Sequence, residues 1–182
     1  MVPIKNIADL PLERWKNGGG NTRTLASDAQ HEPPRWRLSV ADIQAGGPFS
    51  RFEGMDRISV LLAGRDLHLR CGEQTFLFHS IGDLHAYAGE VATEARLDAG
   101  PCQFLNVMAA RATCRATVES QARAQPACQA ACVLVMPLQG SIALGGQQVA
   151  MAPGEYLLLR GDVPALAITP LQPDARWVLV RI

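Results

Sequence analysis

The chain has 182 residues, 48% hydrophobic and 19% charged, with 17 basic and 17 acidic side chains and a formal net charge of zero. This is a globular composition, and a chain of this length buries roughly 70% of its unfolded surface. The balance argues against nucleic-acid binding, which calls for a basic surplus or stripe, and no apolar stretch approaches the ~18 residues of a membrane span.

At the N-terminus, Lys5 and Asp9 stand where a secretory leader would be apolar, so no signal peptide and a cytoplasmic location are expected. Ile7–Arg14 predicts one or two helical turns behind Asp9. Gly18-Gly19-Gly20 follows Trp15 and Asn17; such a run either brings backbone close to a ligand or makes room for two crossing chains. It lacks the flanking strand and helix, and the Lys-Ser/Thr pair, of a phosphate loop.

Alternation then sets in. Trp36, Leu38 and Val40 oppose Arg37, Ser39 and Ala41; Ile58, Val60 and Leu62 oppose Arg57, Ser59 and Leu61; Leu67 and Leu69 oppose Asp66, His68 and Arg70. A period of two is the mark of strands. Short apolar runs follow at Cys132–Leu138, Ile142–Leu144, Tyr156–Leu159, Ala165–Ile168 and Trp177–Ile182. Turn pairs separate them: Ala63-Gly64, Cys71-Gly72, Gly82-Asp83, Gly145-Gly146, Pro153-Gly154 and Gly161-Asp162. Short strands with such punctuation predict an all-β sandwich or barrel. Thr113–Ala131, rich in Ala, Arg and Gln, reads as a linker or irregular crossover.

The two halves repeat each other. Ile58–Gly64, Cys71-Gly72, Gly82-Asp83 and Phe104–Met108 correspond to Val133–Gly140, Gly145-Gly146, Gly154-Glu155 and Trp177–Ile182. Gly82 precedes Phe104 by 22 residues and Gly154 precedes Trp177 by 23. This predicts a duplicated antiparallel unit, with an N-terminal domain over 1–112 and a linker plus C-terminal domain over 113–182, packed as one body.

Five cysteines (Cys71, Cys102, Cys114, Cys128, Cys132) are odd in number and lack CxxC spacing. They are expected as reduced thiols that pack as small residues. Cys128 and Cys132 stand four apart with no partner ligand nearby in sequence.

The strand–glycine pattern resembles the cupin fold. Trp15-Lys-Asn-Gly-Gly-Gly-Asn-Thr22, Trp36-Arg-Leu-Ser-Val-Ala41, Gly47-Pro-Phe-Ser-Arg-Phe52, Gly54-Met-Asp-Arg57 and Asn106-Val-Met108, in that order, resemble the HutD/Ves family. The resemblance implies a bicupin, two cupin-like β-barrels or jelly rolls. It also implies a small-ligand-binding role tied to histidine utilisation or stress regulation, with N-formylglutamate as a proposed ligand. It carries no established enzymatic activity and allows a homodimer, since cupin sheets often pair. The sequence departs from the family pattern at Thr24 (usually Glu), Glu53 (usually Pro) and Phe104 (usually Asp).

Most characterised cupins bind a metal through about three imidazoles and a carboxylate. Here there are four histidines, His31, His68, His79 and His85, with no His-x-His pair and none in the second half. No metal and no cofactor are expected; His79 and His85 would meet only if the Gly82-Asp83 turn brought them together. Arg37 with Ser39 and Arg57 with Ser59 each share a strand face. If both faces point inward, two guanidiniums and two hydroxyls line one opening, a donor array suited to a carboxylate. The alternative is a solvated face, with Arg37 and Arg57 paired to Asp42 and Asp56. Together with the resemblance, this gives Trp15, Asn17, Gly19, Arg37, Ser39, Phe49, Ser50, Arg57 and Asn106 as candidate ligand-binding residues. Trp15 and Phe49 are equally plausible as core aromatics. The expected ligand is small and anionic, with no nucleic acid and no membrane as partners. The rival reading is a metal-independent isomerase or hydrolase acting on a small carboxylate or sugar, with His68 as its base; no catalytic residue stands out.

Overall fold

Extended segments dominate, as the period-two patterns require. The structure is a computed structural model that describes residues 3–124, 130–145, 149–161 and 166–182. Its strands are β1 (Lys5–Asn6), β2 (Glu13–Arg14), β3 (Gly20–Ser27), β4 (Trp36–Ile43), β5 (Gly47–Pro48), β6 (Met55–Ala63), β7 (Leu67–Cys71), β8 (Gln74–Phe78), β9 (Leu84–Ala88), β10 (Thr93–Leu97) and β11 (Cys102–Ala110). They continue with β12 (Thr117–Gln121), β13 (Cys132–Gln139), β14 (Ile142–Leu144), β15 (Val149–Met151), β16 (Glu155–Arg160), β17 (Ile168–Pro170) and β18 (Arg176–Arg181). Among the described residues the one helical element is a 3-10 turn, Ile7–Asp9. The Asn6 carboxamide oxygen accepts the Ala8 N–H at 2.8 Å at its start. The helical turns expected over Ile7–Arg14 therefore stop at Asp9, and Glu13 and Arg14 pair with Thr22 and Asn21 instead. Among the described residues no helix is long and apolar enough to cross a membrane.

The chain divides into two units. The first is Leu10–Arg115; the second comprises the described residues of Met1–Asp9 and Ala116–Ile182. The described residues up to Asp9 thus group with the second half rather than with 1–112, because Lys5 and Asn6 pair with Tyr156 and Glu155. The segment expected as a linker contains β12, which pairs with β18 along Thr117–Gln121.

In the first unit a six-stranded sheet, β2-β3-β4-β11-β6-β9, faces a four-stranded sheet, β5-β10-β7-β8, all antiparallel. Ile43, Leu61 and Phe104 from the larger sheet meet Leu67, Leu69 and Phe78 from the smaller. The Phe78 and Phe104 ring centroids are 4.5 Å apart. Arg37, Ser39 and Ala41 lie on the same inward side as Ile43, as alternation dictates.

The second unit pairs a five-stranded sheet, β1-β16-β13-β18-β12, with a three-stranded one, β15-β14-β17. Val133, Val135, Leu157, Leu159, Trp177 and Leu179 pack with Ile142, Met151 and Ile168.

The strand orders match: β4-β11-β6-β9 against β12-β18-β13-β16, and β10-β7-β8 against β17-β14-β15. The corresponding turns match as well. Gly82 and Gly154 have φ of +90° and +92°, a region in which an L side chain is strained. Cys71 and Cys102 are buried free thiols, and Cys132 is buried as well. Cys128, the turn residues Gly146 and Asp162, and Ala165 lie outside the described residues.

Candidate ligand-binding site

Three neighbouring strands supply the floor of a cavity of about 570 Å³ in the first unit. Register sets its chemistry. On β4, β11 and β6, Arg37, Met108 and Arg57 lie in one row, and Ser39, Asn106 and Ser59 lie in the next. Arg37, Ser39, Arg57, Asn106 and Met108 all line the cavity, while Ser59, fully buried, lies beneath it. The walls are Trp15, Asn17, Phe49, Ser50 and Phe52. The cavity's volume is that of a small-molecule site, but polar and charged side chains outnumber the apolar ones around it, where such sites are usually mainly apolar.

Arg57 is only 5% exposed. Its guanidinium lies over the rings of Tyr87, Phe52 and Phe49, at 5.1, 5.4 and 5.8 Å from their centroids. One Nη–H donates to the Ser50 carbonyl at 3.2 Å, and the buried Nε–H has no partner among the described residues. No carboxylate among the described residues lies within ion-pair distance of it. A buried cation normally has an anionic partner; cation–π contacts offset only part of the desolvation cost.

Arg37 has a different role. It donates to the Thr24 hydroxyl at 2.7 Å and lies 3.6 Å from the Glu13 carboxylate. Thr24 in turn donates to Glu13 at 3.1 Å. Thr24 stands where the resembling family usually has a carboxylate, and at this wall the carboxylate comes from β2 instead. The pairing of Arg37 and Arg57 with Asp42 and Asp56 does not occur. Asp42 is bound by Arg23 at 2.6 Å and by Gln103 at 2.7 Å, and Asp56 by Arg111 at 2.7 Å.

The loop between β2 and β3 holds one wall. The Trp15 indole N–H donates to Thr22 at 2.7 Å, and its ring meets Phe49 edge-on at 5.6 Å. Both aromatics therefore serve as cavity wall while also packing against the core. Asn17 donates to the Pro48 carbonyl at 3.3 Å and accepts the Gly19 N–H at 3.0 Å. Gly19 itself does not line the cavity: its carbonyl accepts the N–H groups of Gln44 and Ala45, so it shapes the loop behind the wall. Gly20 shows why that loop is glycine-rich, since a Cβ there would fall 2.2 Å from the Asp42 carbonyl oxygen.

Behind the floor runs a buried chain of hydroxyls. Tyr87 Oη lies 2.9 Å from Ser59 Oγ, which donates to Asn106 Oδ1 at 2.8 Å. Burial pushes the Tyr87 hydroxyl above its usual pKa, only partly opposed by the Arg57 charge and the Ser59 hydrogen bond, so it stays protonated. The sequence reading missed Glu13, Arg14, Lys16, Phe52 and Met108 as cavity residues. Met108 shares strand parity with Asn106, which was the available signal; a two-residue strand such as β2 gives none for Glu13.

The histidines lie elsewhere. His79 pairs with Asp66, His85 Nε2 sits 3.1 Å from the Leu77 carbonyl, and His31 pairs with Asp28. His79 and His85 thus have separate partners and do not converge. His68 pairs with Asp98 at 3.0 Å and lines a second opening with Arg70, Glu94 and Arg96, so it is no base for the first cavity. Among the described residues no three His, Cys, Asp or Glu side chains gather as metal ligands. Phe104, where the family pattern has Asp, fills the core beneath the cavity, and Glu53 lies exposed in the turn before Gly54.

Paired antiparallel sheets, a matched internal repeat and a polar-floored cavity define an all-β protein of cupin fold. A cupin barrel protein from Leptotrichia buccalis superposes on it with a TM-score of 0.66 at 9% identity, covering 100% of this chain and 97% of that one. The HutD family model matches residues 7–175, and the chain belongs to that family. HutD from Pseudomonas fluorescens superposes with a TM-score of 0.85 at 24% identity, covering 100% of this chain and 98% of that one. The Ves protein of Escherichia fergusonii is 35% identical over 62% of this chain and 60% of its own length. An uncharacterized 21.2 kDa protein from the hutC 3' region of Pseudomonas putida is 32% identical over 65% of this chain and 63% of its own length. The match thus spans under two thirds of these relatives' lengths.

Proposed function

We propose that the first unit binds a small carboxylated metabolite of the acylated-glutamate type, such as N-formylglutamate, and acts as a sensor rather than a catalyst. The observation that carries this reading is Arg57: a buried guanidinium at a cavity wall, ringed by aromatics, with no carboxylate partner among the described residues. A ligand carboxylate supplies the missing counter-charge through charge-assisted hydrogen bonds, which are roughly twice as strong as neutral ones. Arg37, already engaged by Thr24 and Glu13, contributes at the side. The name of the Pseudomonas putida relative, placed in a hutC 3' region, supports a link to histidine utilisation.

Thermal unfolding with N-formylglutamate, urocanate, histidine and a sugar panel tests the reading. A ligand at 100 times its Kd adds ~2.7 kcal/mol of stability, and N-formylglutamate is the compound expected to do so. Arg57→Ala is expected to weaken binding about 10- to 100-fold, the loss of one charged hydrogen-bonded contact. If no carboxylate raises the melting temperature, or if Arg57→Ala binds as tightly as the parent, the reading fails.

A further inference from the structure

We infer that Tyr87 and Ser59, neither of which lines the cavity, fix the Asn106 carboxamide so that its NH2 faces the ligand, making this floor select hydrogen-bond acceptors over donors. The inference rests on the reading of the cavity as an anion site and adds which chemical groups it accepts beside the carboxylate.

The argument follows the protons. Tyr87 is buried and, among the described residues, its hydroxyl has one hydrogen-bond partner, Ser59 Oγ at 2.9 Å. A buried O–H without an acceptor is costly, so Tyr87 donates to Ser59. A serine hydroxyl has a single proton to give. With Ser59 Oγ accepting from Tyr87, that proton goes to Asn106, 2.8 Å away, and the Asn106 atom receiving it is the carbonyl oxygen. The opposite amide orientation would turn every link around. Asn106 would donate to Ser59, Ser59 to Tyr87, and the Tyr87 proton would have nowhere to go. Only one polarity of the chain satisfies all three groups.

Asn106 is itself among the cavity-lining residues. Once its oxygen is occupied from behind, the amide nitrogen is the end left for the cavity. Beside it stand the Arg57 guanidinium, which only donates, and Ser39, which can do either. An N-acylated amino acid brings a carbonyl oxygen next to its carboxylate and satisfies this floor. A free amino acid brings an ammonium, which sets donor against donor and cation against cation.

The experiment compares N-formylglutamate with glutamate by calorimetric titration of the full chain and of Tyr87→Phe, Ser59→Ala and Asn106→Asp. The parent is expected to prefer N-formylglutamate. In Tyr87→Phe the Ser59 proton and the amide are free to reverse, and the preference is expected to fall about tenfold, with glutamate losing less affinity than N-formylglutamate. A variant that merely loosened the fold would weaken both ligands alike. Asn106→Asp presents an anionic oxygen to the cavity and should reverse the preference. The side-chain amide resonances of Asn106, assigned by their absence in Asn106→Asp, should move when N-formylglutamate is added to the parent, a readout that needs no variant to retain full stability. An unchanged ligand ratio in Tyr87→Phe and Ser59→Ala, or an Asn106 amide indifferent to bound ligand, overturns the relay. If the parent binds neither compound, the anion-site reading falls instead. The relay is then judged in the unliganded protein, where Tyr87→Phe should still shift the Asn106 amide signals and their constancy would refute it.

Discussion

The two units share a strand order but not an interior. Counted from the matched glycines, Arg57 and Ser59 on β6 correspond to Val133 and Val135 on β13. Tyr87 on β9 corresponds to Leu159 on β16 and, counted from the matched Phe104 and Trp177, Asn106 on β11 to Leu179 on β18. The register agrees: Ser59 faces Asn106 and Val135 faces Leu179, while Arg57 faces Tyr87 and Val133 faces Leu159. The second unit therefore carries an apolar residue at every place where the first has its buried cation and hydroxyl relay, and all four pack in its core. One scaffold has been filled in two ways, once by apolar side chains and once around an open cavity floored by polar ones.

Exchanging the interiors tests this contrast. Placing the polar pair into the closed unit, with Val135→Ser and Leu179→Asn together, should have the largest effect. It removes packing from two fully buried sites and buries polar groups with no prepared partner, a loss above about 4 kcal/mol in chemical denaturation. A loss below 1 kcal/mol would mean that the second interior is not close-packed. The converse replacement, Ser59→Val, Asn106→Leu and Tyr87→Phe, removes all three members of the relay at once. Because no donor is left behind, stability should stay within about 1.5 kcal/mol, while N-formylglutamate binding falls by at least about tenfold in titration. The smallest expected change is Tyr156→Phe. The Tyr156 hydroxyl is buried and has no protein partner among the described residues, so its removal should leave stability unchanged or raise it by up to about 1 kcal/mol. By contrast, Tyr87→Phe breaks a hydrogen bond that is made. Both tyrosines also respond to alkali. Burial holds each hydroxyl's pKa above its ordinary value, so the folded state keeps the proton longer than the unfolded chain does. That contribution is fully present below the unfolded tyrosine value near ~10 and is lost as pH rises beyond it. Replacing both tyrosines should flatten the alkaline limb of the unfolding curve.

The contrast also explains what the sequence could reveal. β4, β6, β13 and β18 are legible because alternation or unbroken apolarity marks strands that pack against a core. β3, Gly20–Ser27, escaped notice because it opens with glycine and carries Asn21, Thr22, Arg23 and Thr24. Thr22 lines the cavity and Thr24 holds Arg37, while Arg23 pairs with Asp42 on the opposite face, so polarity on both faces hides the strand. β12 was hidden likewise by Glu119, Ser120 and Gln121; Arg181 holds Glu119 there at 2.7 Å. At the site, Arg37, Ser39, Arg57 and Asn106 were reachable from strand parity and from the family's motifs. Tyr87 was not, because its contact with Ser59 appears only once β9 is seen to lie beside β6.

Placing the guanidinium of Arg57 behind rings, with exposed Arg14 and Lys16 nearer the opening, separates arrival from retention. Dissolved salt reaches the outer cations, whose pull on an approaching anion fades beyond a Debye length of roughly 8 Å at physiological ionic strength. It is largely excluded from the inner one. Raising ionic strength should therefore slow capture of a charged metabolite while scarcely hastening its escape.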